Sequence, residues 1–219
     1  MNAPFSIPTG FMQACMTRHL MSARRGIKRV DTDRVDMFIA DNFLQPHEQQ
    51  RVIELIDENN ARSEVAHANG DYAFRTSSTS GLSGRDPLID EISHRVCALL
   101  GIDQAFAEPI QGQRYREGEE FKLHTDTFTY GTEDWDRYCS QSGQRTWTAL
   151  IYLNDVTEGG ETTFDHLGKA FSPTAGRLIC WNNRHEDGSI NEATAHHARA
   201  VLRGHKYVIT QWFRELPWK

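Results

Sequence analysis

The sequence predicts a mainly β fold of the α+β kind: an antiparallel two-sheet roll with helices packed against one outer face. Two observations indicate this. Amphipathic helical patterns occur before residue 105, whereas short β-type segments separated by Gly, Asn and Asp occupy the chain from residue 107 onward. Helices followed by a run of about seven or eight strands favour segregated layers, with ligands held between the sheets at the mouth of the roll.

Three helices and one strand are expected in the first half of the chain. The first helix covers residues 10–26, the second covers 46–60, and the third covers 85–101 and ends at Gly101. The second and third each have a proline near the start, where its missing N–H costs nothing. A strand is expected at residues 35–44, between the first two helices.

Seven strands are expected in the second half. They lie at residues 109–115, 120–126, 145–154, 161–165, 177–181, 200–204 and 205–215. Alternation in the last strand places Lys206, Val208 and Trp212 on one face. A lysine among apolar neighbours either meets an anion or extends from the strand end to solvent, and the first case would make it a carboxylate anchor.

The length of 219 residues suits one domain with an N-terminal extension. Residues 1–30 hold five basic side chains and no Asp or Glu, and we expect a basic, helical extension, with a targeting presequence as the alternative. Residues 31–219 then form the domain, with helical support at 31–105 and the roll at 106–215.

Charge and cysteine content restrict the partners and the compartment. A net charge of −6 argues against a nucleic-acid binder, so a peptide or small molecule is the expected partner. No apolar run is long enough to cross a membrane. The four cysteines have no paired spacing, and Cys97 and Cys180 are expected to be buried thiols. A reducing cytoplasm is the expected compartment, with two disulfides as the alternative. The sequence carries no signal for the oligomeric state.

One group of residues has the chemistry of a metal site. His124 and Asp126 lie two positions apart on an expected strand, so both side chains can point the same way. A second pair, His185 and Asp187, lies in a polar loop, so this spacing is not specific by itself. With His196, the first pair completes the two-histidine, one-carboxylate set that holds non-haem Fe(II) and leaves positions open.

The order of motifs resembles the prolyl 4-hydroxylase group of Fe(II)- and 2-oxoglutarate-dependent dioxygenases over residues 35–215. The motifs are His-x-Asp, then YLNDVTEGGETTF, G-x-L-I-x-W-N-N and DGS-x-N, then a histidine with a lysine ten positions later and a tryptophan six after that. The resemblance implies a double-stranded β-helix (jelly-roll, cupin-like) core. It also implies His124, Asp126 and His196 as iron ligands and catalytic residues, with Lys206 on the distal carboxylate of 2-oxoglutarate.

The same resemblance implies roles for seven further residues. Tyr115, Thr162 and Tyr152 match positions that hydrogen-bond the cosubstrate. Glu108, Arg145 and Trp212 match positions that line the peptide groove. Phe121 also belongs to the substrate side, but it departs from the pattern, because the family commonly has a tyrosine there.

The activity implied by the resemblance is hydroxylation of an unactivated C–H, at the 4-position of a prolyl residue in a peptide or protein, with release of succinate and CO2. The cofactor would be Fe(II), with 2-oxoglutarate and O2 as cosubstrates and ascorbate as a reductant. A free amino acid or other small molecule is the alternative substrate, which Phe121 makes more credible. An inactive peptide-binding relative is the remaining alternative.

Overall fold

The computed structural model describes residues 9–58, 61–62, 74–84 and 86–219, with the backbone alone at 9–14 and 61–62. The helices of this part are α1 Thr9–Ala23, α2 Pro46–Glu58, α3 Pro87–Leu100 and α4 Glu133–Tyr138. The strands of this part are β1 Ile27–Arg29, β2 Met37–Ala40, β3 Ala61–Arg62, β4 Ser78–Gly81, β5 Gln111–Tyr115, β6 Phe121–His124, β7 Arg145–Tyr152, β8 Glu158–Gly159, β9 Thr162–Phe164, β10 Lys169–Phe171, β11 Leu178–Asn182, β12 His196–Ala198, β13 Val201–Arg203 and β14 Lys206–Arg214.

The described strands form three antiparallel sheets. The major sheet has the order β1-β2-β11-β7-β14-β5-β4-β3, and the minor sheet has the order β10-β9-β12-β6. A third, two-stranded sheet pairs β13 with β8. The major and minor sheets are the two halves of the predicted roll, so the predicted fold class is confirmed.

The first three helices cover the outer face of the major sheet. Buried side chains from α1, α2 and α3 join one apolar cluster with Phe38, Ala149, Ile151 and Ile209 of the sheet. The inner face of the sheet belongs to a second apolar cluster, which it shares with the minor sheet. Helices therefore pack on one outer face, as the sequence predicts, and the space between the sheets is left for a ligand.

Local sequence sets the ends of α3. Asp86 precedes the helix, and its carboxylate accepts a hydrogen bond from the Leu88 N–H at 3.0 Å, while Pro87 occupies the first turn. Gly101 ends the helix with φ of 68°, a left-handed conformation in which its N–H donates to the Cys97 carbonyl. Pro87 and Gly101 are the start and stop signals that predict this helix from the sequence.

A close helix–sheet approach also depends on one glycine. A Cβ built on Gly112 of β5 would lie 2.4 Å from Ile56 Cγ1, closer than real atoms approach. Glycine at this position therefore lets α2 pack directly on the strand that carries Tyr115.

The structure differs from the sequence-based prediction in several elements. The short strands β3, β4, β8, β10 and β12 and the helix α4 were not predicted, because two to six residues are too few for a clear periodic pattern. Strand β1 belongs to the segment predicted to be an extension, and it pairs with β2 at the edge of the major sheet. Residues 1–8 of that segment lie outside the described residues, and the division at residue 30 stays a prediction.

Two further expectations concern cysteines and membranes. All four cysteines are free thiols, and Cys97, Cys139 and Cys180 are buried. Burial raises the pKa of the Cys97 thiol to about 11, which makes it unreactive. Among the described helices, none combines the length and the apolar character that crossing a bilayer requires.

Candidate active site

The two histidines of the predicted metal site lie opposite each other on neighbouring strands. His124 ends β6 and His196 begins β12, and the two residues are direct partners in the antiparallel register of the minor sheet. Their ring centroids are 4.3 Å apart. Strand pairing therefore brings together two residues that are 72 positions apart in the sequence.

Hydrogen bonds to the backbone fix the tautomer of both rings. Nδ1 of His124 lies 2.7 Å from the Lys122 carbonyl oxygen, and Nδ1 of His196 lies 3.0 Å from the Thr194 carbonyl oxygen. A carbonyl oxygen can only accept, so each Nδ1 carries the proton and donates it. Each Nε2 is then left with a free lone pair, which is the form that binds a metal.

Asp126 completes the group from the turn that follows β6. Its Oδ2 accepts a hydrogen bond from the Thr148 hydroxyl at 2.7 Å, and the Thr148 oxygen accepts one from the Asn183 amide at 2.9 Å. Its Oδ1 lies 4.0 Å from His124 Nε2. The sequence predicts that strand alternation orients Asp126, but the strand ends at His124. Asp126 is oriented instead by the major sheet, through its hydrogen bond with Thr148.

Burial and neighbouring charges set the protonation states. Burial, reinforced by the neighbouring His196, lowers the pKa of His124 to about 3, so the ring is neutral in the physiological range. Burial acts to raise the pKa of Asp126, but the two histidines, Arg145 and the Thr148 hydrogen bond outweigh it and the net shift is downward. The site therefore offers a neutral His124 imidazole and the Asp126 carboxylate as ligands.

This donor set fits a divalent transition metal. Ligand atoms of His124, Asp126 and His196 all lie within 4.8 Å of one another, and no other described group of His, Cys, Asp and Glu side chains meets that condition. Two imidazoles and one carboxylate on one side leave the other side open, which is the arrangement preferred by oxygen-activating Fe(II) sites. The free lone pairs on both Nε2 atoms support this assignment.

Lys206 lies between the sheets without a carboxylate partner. It starts β14, pairs with Tyr115 of β5 in the sheet register, and is 1% exposed. Its Nζ is 5.0 Å from the centroid of the Tyr115 ring, and it forms no salt bridge with any described residue. Burial lowers the pKa of this amine to about 7, opposed by the charge of Glu161. An unpaired ammonium at this depth calls for an anionic ligand.

An inner cavity of about 40 Å³ joins Lys206 to the metal ligands. Residues of β14 that line it include Lys206, Val208, Thr210 and Trp212, so the alternation predicted for this strand is correct. Tyr115 and Thr162 also line it. The lysine and the metal ligands therefore face one shared space.

The three side chains predicted to hydrogen-bond the cosubstrate occupy different layers. Tyr115 and Thr162 line the inner cavity. Tyr152 is fully buried, and its hydroxyl donates to Thr162 Oγ1 at 2.7 Å, with the Phe171 carbonyl oxygen 3.3 Å away. Tyr152 thus contacts Thr162 and orients its hydroxyl, and it would act on a ligand only through that residue.

An outer cavity of about 420 Å³ opens on the other side of the metal ligands. Its wall is rich in aromatic rings, and the described aromatic residues that line it are Phe74, Phe121, Phe128, Tyr138 and Trp212. Five residues line both cavities, namely Arg75, Phe121, His124, Asp126 and Trp212. A molecule in the outer cavity would therefore approach two of the three metal ligands, His124 and Asp126, which also line the inner cavity.

Arg145 and Trp212, both predicted for the substrate groove, lie in the wall of the outer cavity. The guanidinium carbon of Arg145 lies 3.8 Å from the centroid of the Trp212 ring. Glu108, predicted for the same groove, is buried behind them and binds Arg145 at 2.7 and 2.9 Å and Arg214 at 2.6 Å. The carboxylate of Glu108 is fully occupied by Arg145 and Arg214. Its role is therefore to hold Arg145 in place from behind the groove wall.

Phe121 is stacked on a metal ligand. Its ring centroid is 3.6 Å from that of His124, with 17° between the planes, and Phe74 packs edge-on at 5.8 Å. The guanidinium of Arg75 covers the Phe121 ring at 4.8 Å. The position that departs from the family pattern is therefore at the entrance to the metal site.

Two other histidines, His185 and His197, lie outside the group that could hold a metal. His185 is in the polar loop, where Asp187 accepts hydrogen bonds from the N–H and the hydroxyl of Ser189. His197 points away from its neighbour His196, and its Nε2 lies 3.2 Å from Asp165 Oδ1. Neither histidine lies in the group that could hold a metal.

Three residues of the site were missed from the sequence. Thr148 and Asn183 orient Asp126, and Arg75 lines both cavities. Thr148 is a polar residue inside the apolar segment 147–152 and Asn183 follows the apolar segment 178–181, and these polar positions are the signal that could have identified them. Arg75 stands in a polar run without periodicity and carries no comparable signal.

Comparison with protein families supports this geometry. A model of the 2OG-Fe(II) oxygenase superfamily matches residues 110–214, the segment that holds all three metal ligands and Lys206. The chain is 34% identical over 143 residues to a prolyl 4-hydroxylase subunit alpha-1 of Rattus norvegicus. That match covers 65% of this chain but 27% of the relative, so the chain spans about a quarter of that relative's length.

Two solved structures share the fold. A viral collagen prolyl hydroxylase from Paramecium Bursaria Chlorella virus-1, in complex with 2OG, superposes with a TM-score of 0.65 at 24% identity, covering 84% of this chain and 97% of the other. A Trichoplax adhaerens prolyl hydroxylase, in complex with a hypoxia inducible factor peptide fragment, superposes with a TM-score of 0.62 at 15% identity, covering 98% and 94%.

The sequence matches and the metal site agree with each other. The matched segment contains the triad, the buried lysine and the strands that pair them, and the shared fold extends over most of the chain. The chain belongs to the prolyl 4-hydroxylase-like family of Fe(II)- and 2-oxoglutarate-dependent oxygenases.

Proposed function

We propose that the protein is an Fe(II)- and 2-oxoglutarate-dependent dioxygenase that hydroxylates a prolyl residue of a peptide or protein at the 4-position, with release of succinate and CO2. The observation that carries this proposal is the pairing of an open-sided triad with Lys206, a buried and unpaired cation across one narrow cavity. A metal-binding site alone would not require that lysine, whereas a dicarboxylate cosubstrate does.

The residues of the inner cavity would bind and orient the cosubstrate. His124, Asp126 and His196 would hold Fe(II), whose chemistry when bound is O2 activation coupled to oxidative decarboxylation of 2-oxoglutarate. Lys206 would neutralise the distal carboxylate, and the Thr162 hydroxyl, held by Tyr152, would hydrogen-bond it. The buried apolar residues around them exclude water from the reacting centre.

The outer cavity would bind the substrate. Its aromatic wall suits a pyrrolidine ring, and Arg145, fixed by Glu108 and stacked on Trp212, would present its remaining N–H groups to the peptide backbone. The named homologue and structural neighbours are prolyl hydroxylases, and one of these structures contains a peptide fragment. These similarities support a proline-containing substrate for this chain.

The alternative within the same chemistry is hydroxylation of a free amino acid or other small molecule. Phe121 favours it, because this ring lies at the entrance to the metal site and lacks the hydroxyl common in the family. An inactive peptide-binding relative is disfavoured, since the three ligands and the lysine are all present in the site.

The first experiment tests the oxygenase proposal without any substrate. The protein is mixed anaerobically with Fe(II) and 2-oxoglutarate, and the weak visible charge-transfer band of the chelated keto acid is recorded. We expect the band in the wild-type protein and its loss in Asp126→Ala. A correctly folded wild-type protein that gives no band would contradict the proposal.

The second experiment tests the substrate class. Succinate release is measured with proline-rich peptides, with free proline and with other amino acids, each with and without ascorbate. Stimulation by peptides, with a mass gain of one oxygen on proline, is expected. Stimulation by free amino acids alone would replace the peptide assignment by the small-molecule alternative. Loss of activity over successive turnovers without ascorbate would support its role as reductant.

We also propose a reducing, cytoplasmic location for the protein. The four free thiols support it, because three of them are buried and none is paired. Fractionation of the producing cells, with an antibody against the chain, tests this proposal directly.

A further inference from the structure

Arg75 is a buried cation that lacks a charged partner. It is 8% exposed, its Nε donates to Ser77 Oγ at 3.0 Å, and its Nη2 has no hydrogen-bond partner. It forms no salt bridge with a described Asp or Glu. Burial lowers the pKa of the guanidinium, opposed by Tyr115 and Asp126, so the charge is costly where it stands. An anionic ligand would compensate this charge.

The backbone holds Arg75 firmly beside the metal site. Arg75 forms a β-bridge with Phe121, the Thr76 N–H donates to the Glu120 carbonyl at 3.0 Å, and the Lys122 N–H donates to the Phe74 carbonyl at 2.9 Å. The guanidinium covers the Phe121 ring, which stacks on His124. One aromatic layer therefore separates the cation from a metal ligand.

The other charged side chains of the two cavities already have assigned partners. The lining holds three cations, Arg75, Arg145 and Lys206, and one carboxylate, Asp126. Glu108 binds Arg145 through two hydrogen bonds and shares its single negative charge with Arg214, and Lys206 is assigned to the cosubstrate in the inner cavity. Asp126 belongs to the metal. Among these three cations, Arg75 is the one that has no carboxylate partner among the described residues and is not assigned to the cosubstrate.

We propose that Arg75 binds a carboxylate of the substrate next to the carbon that is hydroxylated. The carboxylate would be the α-carboxylate of a free or C-terminal residue, or the side chain of an acidic residue that flanks the reacting one. A guanidinium matches a carboxylate through parallel N–H groups, and Arg75 lines both cavities, so it can hold this group while the rest of the substrate lies in the outer cavity. The assignment rests on the proposed function.

Matched ligand pairs test this assignment. Binding to the anaerobic Fe(II)–2-oxoglutarate complex is measured by calorimetry for L-proline and L-prolinamide, for a peptide ending in proline as acid and as amide, and for a blocked peptide with Asp or Asn beside proline. We expect the wild-type protein to prefer the acid by about 10- to 100-fold in one pair, as charge-assisted hydrogen bonds imply. The pair that shows the preference identifies the source of the carboxylate.

Variants of Arg75 connect the preference to this side chain. Arg75→Gln should reduce the acid-to-amide ratio to about one, and Arg75→Lys, which keeps the charge but loses the fork, should give an intermediate ratio. Arg199→Gln is the control, since Arg199 is exposed and outside both cavities. Melting temperatures and the charge-transfer titration of 2-oxoglutarate verify that each variant folds and binds the cosubstrate.

The outcomes separate this inference from the proposed function. If no charge-transfer band forms, the proposed function fails. If the band forms but the wild-type protein prefers no acid, in these pairs or in further free amino acids and their amides, the inference alone fails. It also fails if the preference survives Arg75→Gln, or if that change weakens 2-oxoglutarate and leaves the acid preference intact.

Discussion

The inner and outer cavities share a wall but are built from different parts of the fold. The inner cavity is lined largely by strand residues, and its key pairs, His124 with His196 and Lys206 with Tyr115, are direct partners in sheet registers. The outer cavity takes Phe74 from the chain before β4 and Phe128 from the segment after β6. Register fixes the positions of His124, His196 and Lys206, whereas connecting segments supply part of the outer wall, including Phe74 and Phe128.

The largest effect is expected from removal of a metal ligand in the inner cavity. His196→Ala removes one of three metal ligands, so we expect turnover to fall to background, with loss of Fe(II) measured by metal analysis of the purified protein. His185→Ala is the matched control, because that histidine lies in a polar loop outside the site, and it should retain activity. The opposite result for the two variants would show that the metal ligand was assigned to the wrong histidine.

The next effect concerns the anchor of the inner cavity. Lys206→Met should weaken 2-oxoglutarate binding by about 100-fold, through loss of a charge-assisted contact, while Fe(II) binding is retained. The charge-transfer titration measures both. Unchanged affinity for 2-oxoglutarate would mean that Lys206 does not contact it.

In the absence of cosubstrate, the Lys206→Met variant should be more stable than the wild-type protein. The folded-state pKa of Lys206, about 7, lies below its unfolded value of 10.5, so this group destabilises the fold fully below pH 7 and progressively less as the pH rises to 10.5. The difference in melting temperature between Lys206→Met and wild type should therefore be larger at pH 6.5 than at pH 9.

A smaller effect is expected from loss of the hydrogen bond by which Thr148 of the major sheet orients Asp126. Thr148→Val removes the hydroxyl that donates to Asp126, and we expect metal affinity to fall by about tenfold, at the low end for residues that orient a ligand. Thr163→Val is the matched control, because the buried Thr163 hydroxyl has no partner, and metal affinity should not change. Equal metal affinities in the two variants would contradict the role given to Thr148.

A similar effect is expected from pH. Binding of a dicarboxylate favours the protonated amine of Lys206, whose pKa without ligand is about 7. The apparent dissociation constant of 2-oxoglutarate should therefore rise by up to about tenfold per pH unit above 7, and binding near that pH should take up a proton. Calorimetry in buffers of different ionisation enthalpy measures the uptake, and a flat profile in wild type would exclude Lys206 as the titrating group.

The smallest expected effect lies in the outer cavity. Phe121→Tyr keeps the ring on His124 and adds one hydroxyl, so we expect peptide affinity to rise by about two- to tenfold, the range for one hydrogen bond. Fe(II) and 2-oxoglutarate affinity should stay unchanged. A large change in either would show that the two cavities are less separate than their construction indicates.

Sequence could predict the parts of the site that have a regular spacing. The fold class is predicted from the order of helical and β-type segments, and the triad and Lys206 are predicted from the spacing of His124 and Asp126 and from the motif order shared with the family. Strand alternation translates spacing into geometry for Lys206, Val208 and Trp212, which share one face of the last strand.

The rest depends on contacts that spacing does not encode. Glu108 was predicted to line the groove, but it is fixed behind the groove by two arginines from other strands. Tyr152 was predicted to bind the cosubstrate, but its hydroxyl contacts Thr162. Arg75 reaches the site through a bridge to Phe121, 46 positions away, and nothing in its own neighbourhood indicates that contact.

The backbone pairing between residues 74–76 and residues 120–122 has a consequence for protein engineering. Because backbone hydrogen bonds hold this segment in place, side chains at 74 and 75 can be exchanged without altering the main-chain contacts that position them. A small library at these two sites, on an otherwise constant chain, would alter which molecules are accepted while leaving the iron ligands and the lysine untouched. Under the proposal for Arg75, positions 74 and 75 are therefore the place at which substrate preference could be changed independently of the metal ligands.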